Sequence, residues 1–255
     1  MIRGLYTAGA GMLMNDRRMQ TIDENIENIR TPGYREASES VIPFPQYLMK
    51  RIDHDTGVAR STVLGVMGTG SYVNDMLYKD SQGLMRETGN TTDMAINGDG
   101  FFVVLTPQGE RYTRNGHLMR DPNGFLRTVG GNPVLGTNGP IGPVPEDFAV
   151  TADGWIIDNT TGEEIAQLRL VTIPGDSLGR VGKTTMYSAK TPPVELTGDA
   201  RPRIEQGFIE EANVDVSAQM VKMIEVNRSF AANQRMIQTN DQLMQKSANE
   251  IGKIL

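Results

Sequence analysis

Near the start of the chain, Leu5, Ala8, Met12, Asn15, Met19, Ile22, Ile26 and Ile29 recur at alternating steps of three and four. This is a heptad seam, the pattern by which a helix buries a narrow stripe against other helices. It predicts a helix over about residues 4–30, a rod of roughly 38 Å at 1.5 Å per residue. Pro32 biases Thr31 away from helical geometry and Gly33 supplies a stop, so Thr31-Pro32-Gly33-Tyr34 reads as the helix exit. The end of the chain repeats the pattern through Met220, Met223, Asn227, Phe230, Gln234, Ile237, Asp241, Met244, Ala248, Ile251 and Leu255. One line of this second seam (Met223, Phe230, Ile237, Met244, Ile251) is wholly apolar, while the other carries Asn227, Gln234 and Asp241. Asp215 or Ser217 is placed to cap it. Such a helix is about 54 Å long, against a radius of gyration of about 18 Å for a compact chain of this length. The two helical ends are therefore expected to meet away from a separate body.

Between the helices the period changes. Residues 36–90 read as irregular chain with short extended pieces, because Pro43 and Pro45 discourage pairing and glycines cluster at 65–70. Over 91–173, short apolar runs alternate with turn signals such as Asn97-Gly98-Asp99-Gly100, Asp121-Pro122-Asn123-Gly124 and Asn159-Thr160-Thr161-Gly162. The runs Phe101–Leu105, Arg111–Thr113, Trp155–Asp158 and Ile165–Ile173 read as strands of antiparallel hairpins. Residues 174–206 carry loop markers at Pro192-Pro193 and Pro202. The predicted fold is α+β: an antiparallel β-rich central domain, with long N- and C-terminal helices pairing as a coiled-coil-like inner domain. Its expected segments are 1–35, 36–90 as an extended linker, 91–206 as the outer β domain, and 207–255.

Composition removes several function classes. The 255 residues carry a net charge of −6, and no Lys/Arg cluster offsets it; nucleic acid needs a basic footprint. No run of about 18 apolar residues exists to span a membrane. The opening stretch makes a poor secretory signal peptide, since Asn15-Asp16-Arg17-Arg18 follows its apolar part. With no cysteine, disulfides and thiolate metal sites are excluded. The 15 methionines suit a surface that must meet inequivalent neighbours, because the thioether fills irregular gaps.

Catalytic and ligand signatures fail on their spacing. His54 and His117 have no partner at metal spacing and read as surface or structural residues. A calcium loop counted from Asp93 places Ala95 at the third position, where an oxygen ligand is needed. Residues 65–70 are neither a P-loop nor a dinucleotide loop. No cofactor is expected and no enzymatic activity is assigned.

Four blocks together resemble the flagellar rod and hook protein family. The first is Leu5-Tyr6-Thr7-Ala8 with Gly11-Met12, then Asn25-Ile26, Asn28 and Thr31-Pro32-Gly33-Tyr34. The second is Gln82-Gly83-Leu84 and Thr88-Gly89-Asn90, leading to Asp93, Ala95, Ile96, Gly98, Gly100, Phe101 and Phe102. The third is Tyr112-Thr113-Arg114-Asn115-Gly116 with Asn123-Gly124-Phe125-Leu126. The fourth comprises Asn213, Val214, Met220, Met223, Ile224, Arg228, Phe230 and Asn233, with Met244 beyond. Glu24, Glu27 and Arg30 depart from the family pattern, as do Gln219 and Asn227. The resemblance implies a non-enzymatic rod subunit, of proximal or distal type, in the flagellar basal body. It implies export without a signal peptide through the type III apparatus, and helical assembly with further copies and with other rod and hook proteins. Terminal helices would line the channel, with Leu5, Ala8, Met12, Met19, Ile22, Ile26 and Ile29 on one helix. Asn227, Ile237 and Ile251 join the fourth block on the other. A β-rich adhesin on a helical stalk is the alternative reading.

Overall fold

A computed structural model describes residues 2–55, 58–182, 184–198 and 201–251, excluding the side chains of 2, 3, 51–61 and 251. The chain forms two compact units. One comprises residues 1–24, 39–76 and 217–255; the other comprises 25–38 and 77–216. The architecture is α+β, with antiparallel strands between an N-terminal and a C-terminal helix.

The helical unit holds most of α1 (Ile2–Glu27) and α2 (Val216–Ile251). It also contains the hairpin β2 (Tyr47–Asp55) and β3 (Val58–Met67), in the stretch expected to be irregular. β2 starts directly after the proline pair, so neither proline removes a hydrogen bond from its ladder. The glycine cluster is absorbed by a register shift: Met49 faces Gly65 and Lys50 faces Val63, so Leu64 is the extra residue. Gly65 has φ +141°, backbone that glycine adopts without strain. Two further strands, β1 (Ala37–Pro43) and β4 (Ser71–Tyr78), pair with each other. The Phe44 amide donates to the Gly70 carbonyl at 2.9 Å, and Phe44 stacks on Tyr72 with ring centroids 5.3 Å apart.

The β unit is built on a six-stranded antiparallel sheet. Its order is Leu178–Arg180, Met186–Ala189, Gly109–Thr113, Phe101–Thr106, Leu170–Thr172 and Val194–Glu195. Alternating turn and apolar runs produce the central hairpin, in which Phe102 pairs with Thr113 and Val104 with Arg111. A three-stranded sheet (Phe148–Val150, Trp155–Asp158, Glu164–Gln167) packs nearby. The strand expected over Ile165–Ile173 is therefore two strands in two sheets. The change occurs at Leu168 and Arg169, whose amides donate to Gly154 and Leu135. One core joins Met94, Ile96, Phe102, Leu118, Ile156 and Leu170 with Ile204, all 3% exposed or less. The loop-marked 174–206 region supplies three strands to the six-stranded sheet and the pairing of Arg203–Gln206 with Met94–Asn97.

Candidate functional site

Chemically distinctive residues gather at two places, one in each unit. In the β unit the gathering point is the exit from α1. Helical geometry ends in a turn where Thr31 N donates to the Asn28 carbonyl at 3.0 Å and Tyr34 N to the Thr31 carbonyl at 3.3 Å. Gly33 is required there for two reasons. Its φ is +67°, and a Cβ would lie 2.4 Å from the Arg114 carbonyl carbon and the Asn115 nitrogen. Its amide donates 2.8 Å to the Glu210 carbonyl.

Most side chains around this exit are buried or half-buried, and they are densely hydrogen-bonded. Asn25 acts as a surrogate strand for Ala37, donating to its carbonyl at 2.8 Å and accepting from its amide at 3.0 Å. Tyr34 is buried and donates its hydroxyl to Asn25 Oδ1 at 3.0 Å, while Arg180 Nη1 donates to that hydroxyl at 2.7 Å. Asn213 reaches the residue just before that strand, accepting from Glu36 N at 2.6 Å, and donates to the Ser81 carbonyl at 2.6 Å. Arg35 lies over the Phe101 ring at 4.7 Å and meets Asp80 at 2.7 Å. Its amide donates to the Tyr187 hydroxyl at 3.4 Å. Burial pushes the Tyr187 phenol up to about 12, so it stays protonated.

Below the exit sits an ion pair between Arg114 and Glu210 at 2.8 Å, with side-chain exposures of 0% and 3%. Burial lowers the Arg114 pKa from its ordinary value, and Glu210 opposes that shift. The guanidinium also donates to the Gly100 and Gly98 carbonyls, each at 2.6 Å. Glu210 Oε1 accepts from the Gly83 amide at 3.1 Å. The motif glycines are thus spaces for backbone: a Cβ on Gly116 would stand 1.5 Å from the Met94 carbonyl oxygen. Asp93 is buried and accepts from Thr88 at 2.7 Å and Asn90 at 3.1 Å, and pairs with His117 Nδ1 at 2.7 Å. Burial works to raise its pKa, but these hydrogen bonds outweigh burial and hold it below the ordinary aspartate value. Sequence reasoning singled out Gly33, Tyr34, Asp93, Gly98, Gly100, Phe101, Arg114, Gly116 and Asn213, and the fold brings them together. Ala95, Ile96, Phe102, Tyr112, Thr113 and Val214 are buried among or beside them. It missed Arg35, Tyr187 and Glu210, whose partners lie far away in sequence.

In the helical unit the two helices run side by side in opposite directions. Asn15 Nδ2 donates to Ser229 Oγ at 2.9 Å, Gly11 faces Asn233, and Gly4 faces Asn240. On α1, Ala8, Asn15 and Ile22 are buried, and Leu5, Met12 and Met19 are half-buried. Ile26 and Ile29, which fall in the other unit, are also half-buried. On α2, the less exposed positions include Gln219, Met223, Val226, Phe230, Asn233, Ile237, Asn240, Met244 and Ser247. The apolar line of the expected seam lies on this face. The polar line is displaced by one residue: Asn227, Gln234 and Asp241 are exposed, and Val226, Asn233 and Asn240 take the inward positions. Met220 and Ile224 are also exposed, at 54% and 53%, with Arg228 beside them. The Ile251 side chain lies outside the described residues.

Two family models match parts of the chain. Residues 205–251 match the flagellar basal body rod FlgEFG protein C-terminal model, and residues 95–177 match the flagellar hook protein FlgE/F/G D1 domain. The chain is 32% identical to the flagellar hook-basal body complex protein FlhO of Bacillus subtilis, over 100% of both chains. It is 30% identical to the flagellar basal-body rod protein FlgG of the same organism, over 98% of this chain and 99% of the relative. It is 32% identical to the flagellar basal-body rod protein FlgF of Mesorhizobium japonicum, over 89% of this chain and 88% of the relative.

Proposed function

This chain belongs to the flagellar basal-body rod protein family, and we propose that it is a rod subunit that assembles helically into a hollow shaft transmitting torque to the hook. Its location is the basal body, and its neighbours are further copies and other rod and hook proteins. In this reading α1 and α2 form a coiled-coil-like inner domain facing the channel, and residues 91–206 form the outer body. The chain reaches the rod through the type III export apparatus. The role is structural, with no catalytic step.

The observation that carries the reading is the way the helical unit distributes its side chains. Polar Asn15, Asn233 and Asn240 sit on the inner seam, while Tyr6, Leu13, Met220, Ile224, Met236 and Leu243 are exposed. A helix pair that ended its contacts within one chain would put those apolar residues inside. Side chains facing outward in this way supply the surface for neighbouring copies. The direct test uses sedimentation of the full-length chain at rising concentration, beside a Met220→Asp, Ile224→Asp variant. Wild type is expected to form long polymers. The variant should stay monomeric with unchanged far-UV dichroism. Equal polymerisation by the two would overturn the role given to that face.

A further inference from the structure

The geometry points to a head-to-tail contact in which the last turns of α2 in one copy enter a groove beside α1 in the next. The contact deepens the rod-subunit reading and rests on it. The groove, about 870 Å³, lies within the helical unit and is lined by Leu5, Tyr6, Gly9, Leu13, Phe44 and Thr69. Tyr6 and Leu13 are 70% and 72% exposed, although both are large and apolar. Nothing lies within 4 Å of the place a Cβ would take on Gly9, which leaves room along that side of α1. A recess of about 490 Å³ continues it past Ala10, Leu13 and Phe44 to Arg17 and Asp75.

The occupant follows from the helix register. Gly11 faces Asn233 and Gly4 faces Asn240, so a step of seven down α1 is a step of seven up α2. Carried on, this register sets the start of α1 at Ile2 opposite roughly residue 242, while α2 runs to Ile251. The overhang is about two and a half turns, or about 13 Å. Among the described residues it has no α1 position across from it. It carries Leu243, Met244 and Ala248 on one side, with Leu243 49% exposed. An apolar helix end is what a helix-binding groove accepts. The charges also match: Lys246 and Glu250 stand one turn apart on the overhang, and Asp75 and Arg17 line the recess. A continuous α2 carries its own end past Ile2 and away from the groove, so the entering helix belongs to a second copy. A contact between unlike surfaces is heterologous, and it propagates as a helical filament where its rotation does not close into a ring.

The absence of cysteine makes the test clean. Full-length chain carrying both Leu13→Cys and Leu243→Cys is polymerised, sedimented and oxidised. The expected result is a ladder of covalent multimers. Chain carrying Leu13→Cys with Leu84→Cys, which is exposed in the β unit, should give none. Separately, Leu13→Asp and Leu243→Asp should each raise the concentration needed for polymer by about tenfold or more, a change of about 1.4 kcal/mol. Polymer that sediments without the 13–243 cross-link, or cross-links 13 to 84 equally well, overturns the contact and leaves the rod reading in place. A wild-type chain that never sediments overturns the rod reading, and the contact with it.

Discussion

The two units solve opposite problems with the same chain. In the β unit, large apolar side chains from strands distant in sequence close on one another, and its central ion pair, Arg114 with Glu210, is buried with them. In the helical unit the inner seam is partly polar and much of the apolar surface points outward. A self-contained core satisfies most of its buried polar groups by itself. A surface meant for other copies leaves that closure to assembly. The β unit should therefore lose stability through its buried pairs and backbone contacts, whereas the helical unit should show its largest losses in association.

The largest expected loss tests the first half of this contrast. Glu210→Ala leaves Arg114 buried without its carboxylate and should cost about 3–5 kcal/mol. It would be measured by urea denaturation followed through Trp155, the single tryptophan, which lies in the β unit. A loss under about 1 kcal/mol would show that the pair contributes little to closing this unit. Next, Gly33→Ala forces a side chain into left-handed backbone and against the Arg114 peptide. It should cost at least about 1–3 kcal/mol from the backbone term alone, read by the same probe. If Gly33→Ala left the tryptophan transition unmoved, the exit would not be part of the β unit's structure.

Two smaller effects sharpen the comparison. A Cβ on Gly11 would sit 2.7 Å from Asn233 Nδ2. Gly11→Ala should therefore lose, through this clash, much of the roughly 1 kcal/mol that alanine otherwise adds to a helix. Gly11→Ala combined with Asn233→Ala should recover that gain, and a double-mutant cycle on the 222 nm melting signal measures the coupling. Additive single effects would mean the two positions do not meet. The smallest effect concerns acid. The folded-state pKa of Asp93 is depressed, so its stabilisation is present above the ordinary value of 3.8 and is lost as pH falls through the folded value. The tryptophan-detected urea midpoint should drop from pH 5 to pH 3 more steeply in wild type than in Asp93→Asn. Parallel slopes would remove Asp93 from the account.

The sequence made periodic features legible and left chain-distant pairing hidden. The helix stop at Thr31–Tyr34 is local, so proline and glycine chemistry reveals it. The line Met223, Phe230, Ile237 and Met244 stands out because each neighbour one heptad away is also apolar. The second line of α2 is ambiguous by nature: Asn233 and Gln234 are both amides, and Asn240 and Asp241 are both polar. Only Val226 against Asn227 favours one register. The hairpin from Tyr47 to Met67 hid for another reason. Tyr47, Leu48, Val63, Leu64 and Val66 are all exposed, so among its described side chains no inside–outside alternation marks these strands. Glu210 was invisible because nothing near it in sequence announces Arg114 or Gly33.

The bond from Gly33 to the Glu210 carbonyl also sets an order of events. Residues 85–87 pair with 208–210, residues 94–97 pair with 203–206, and Ile204 belongs to the core. A chain emerging from its N-terminus, whether from a ribosome or a narrow conduit, cannot complete these contacts until residue 210 is out. Contacts this distant in sequence are slow to form. The β unit is thus held open until residues 203–210 have been delivered, and closes only after them.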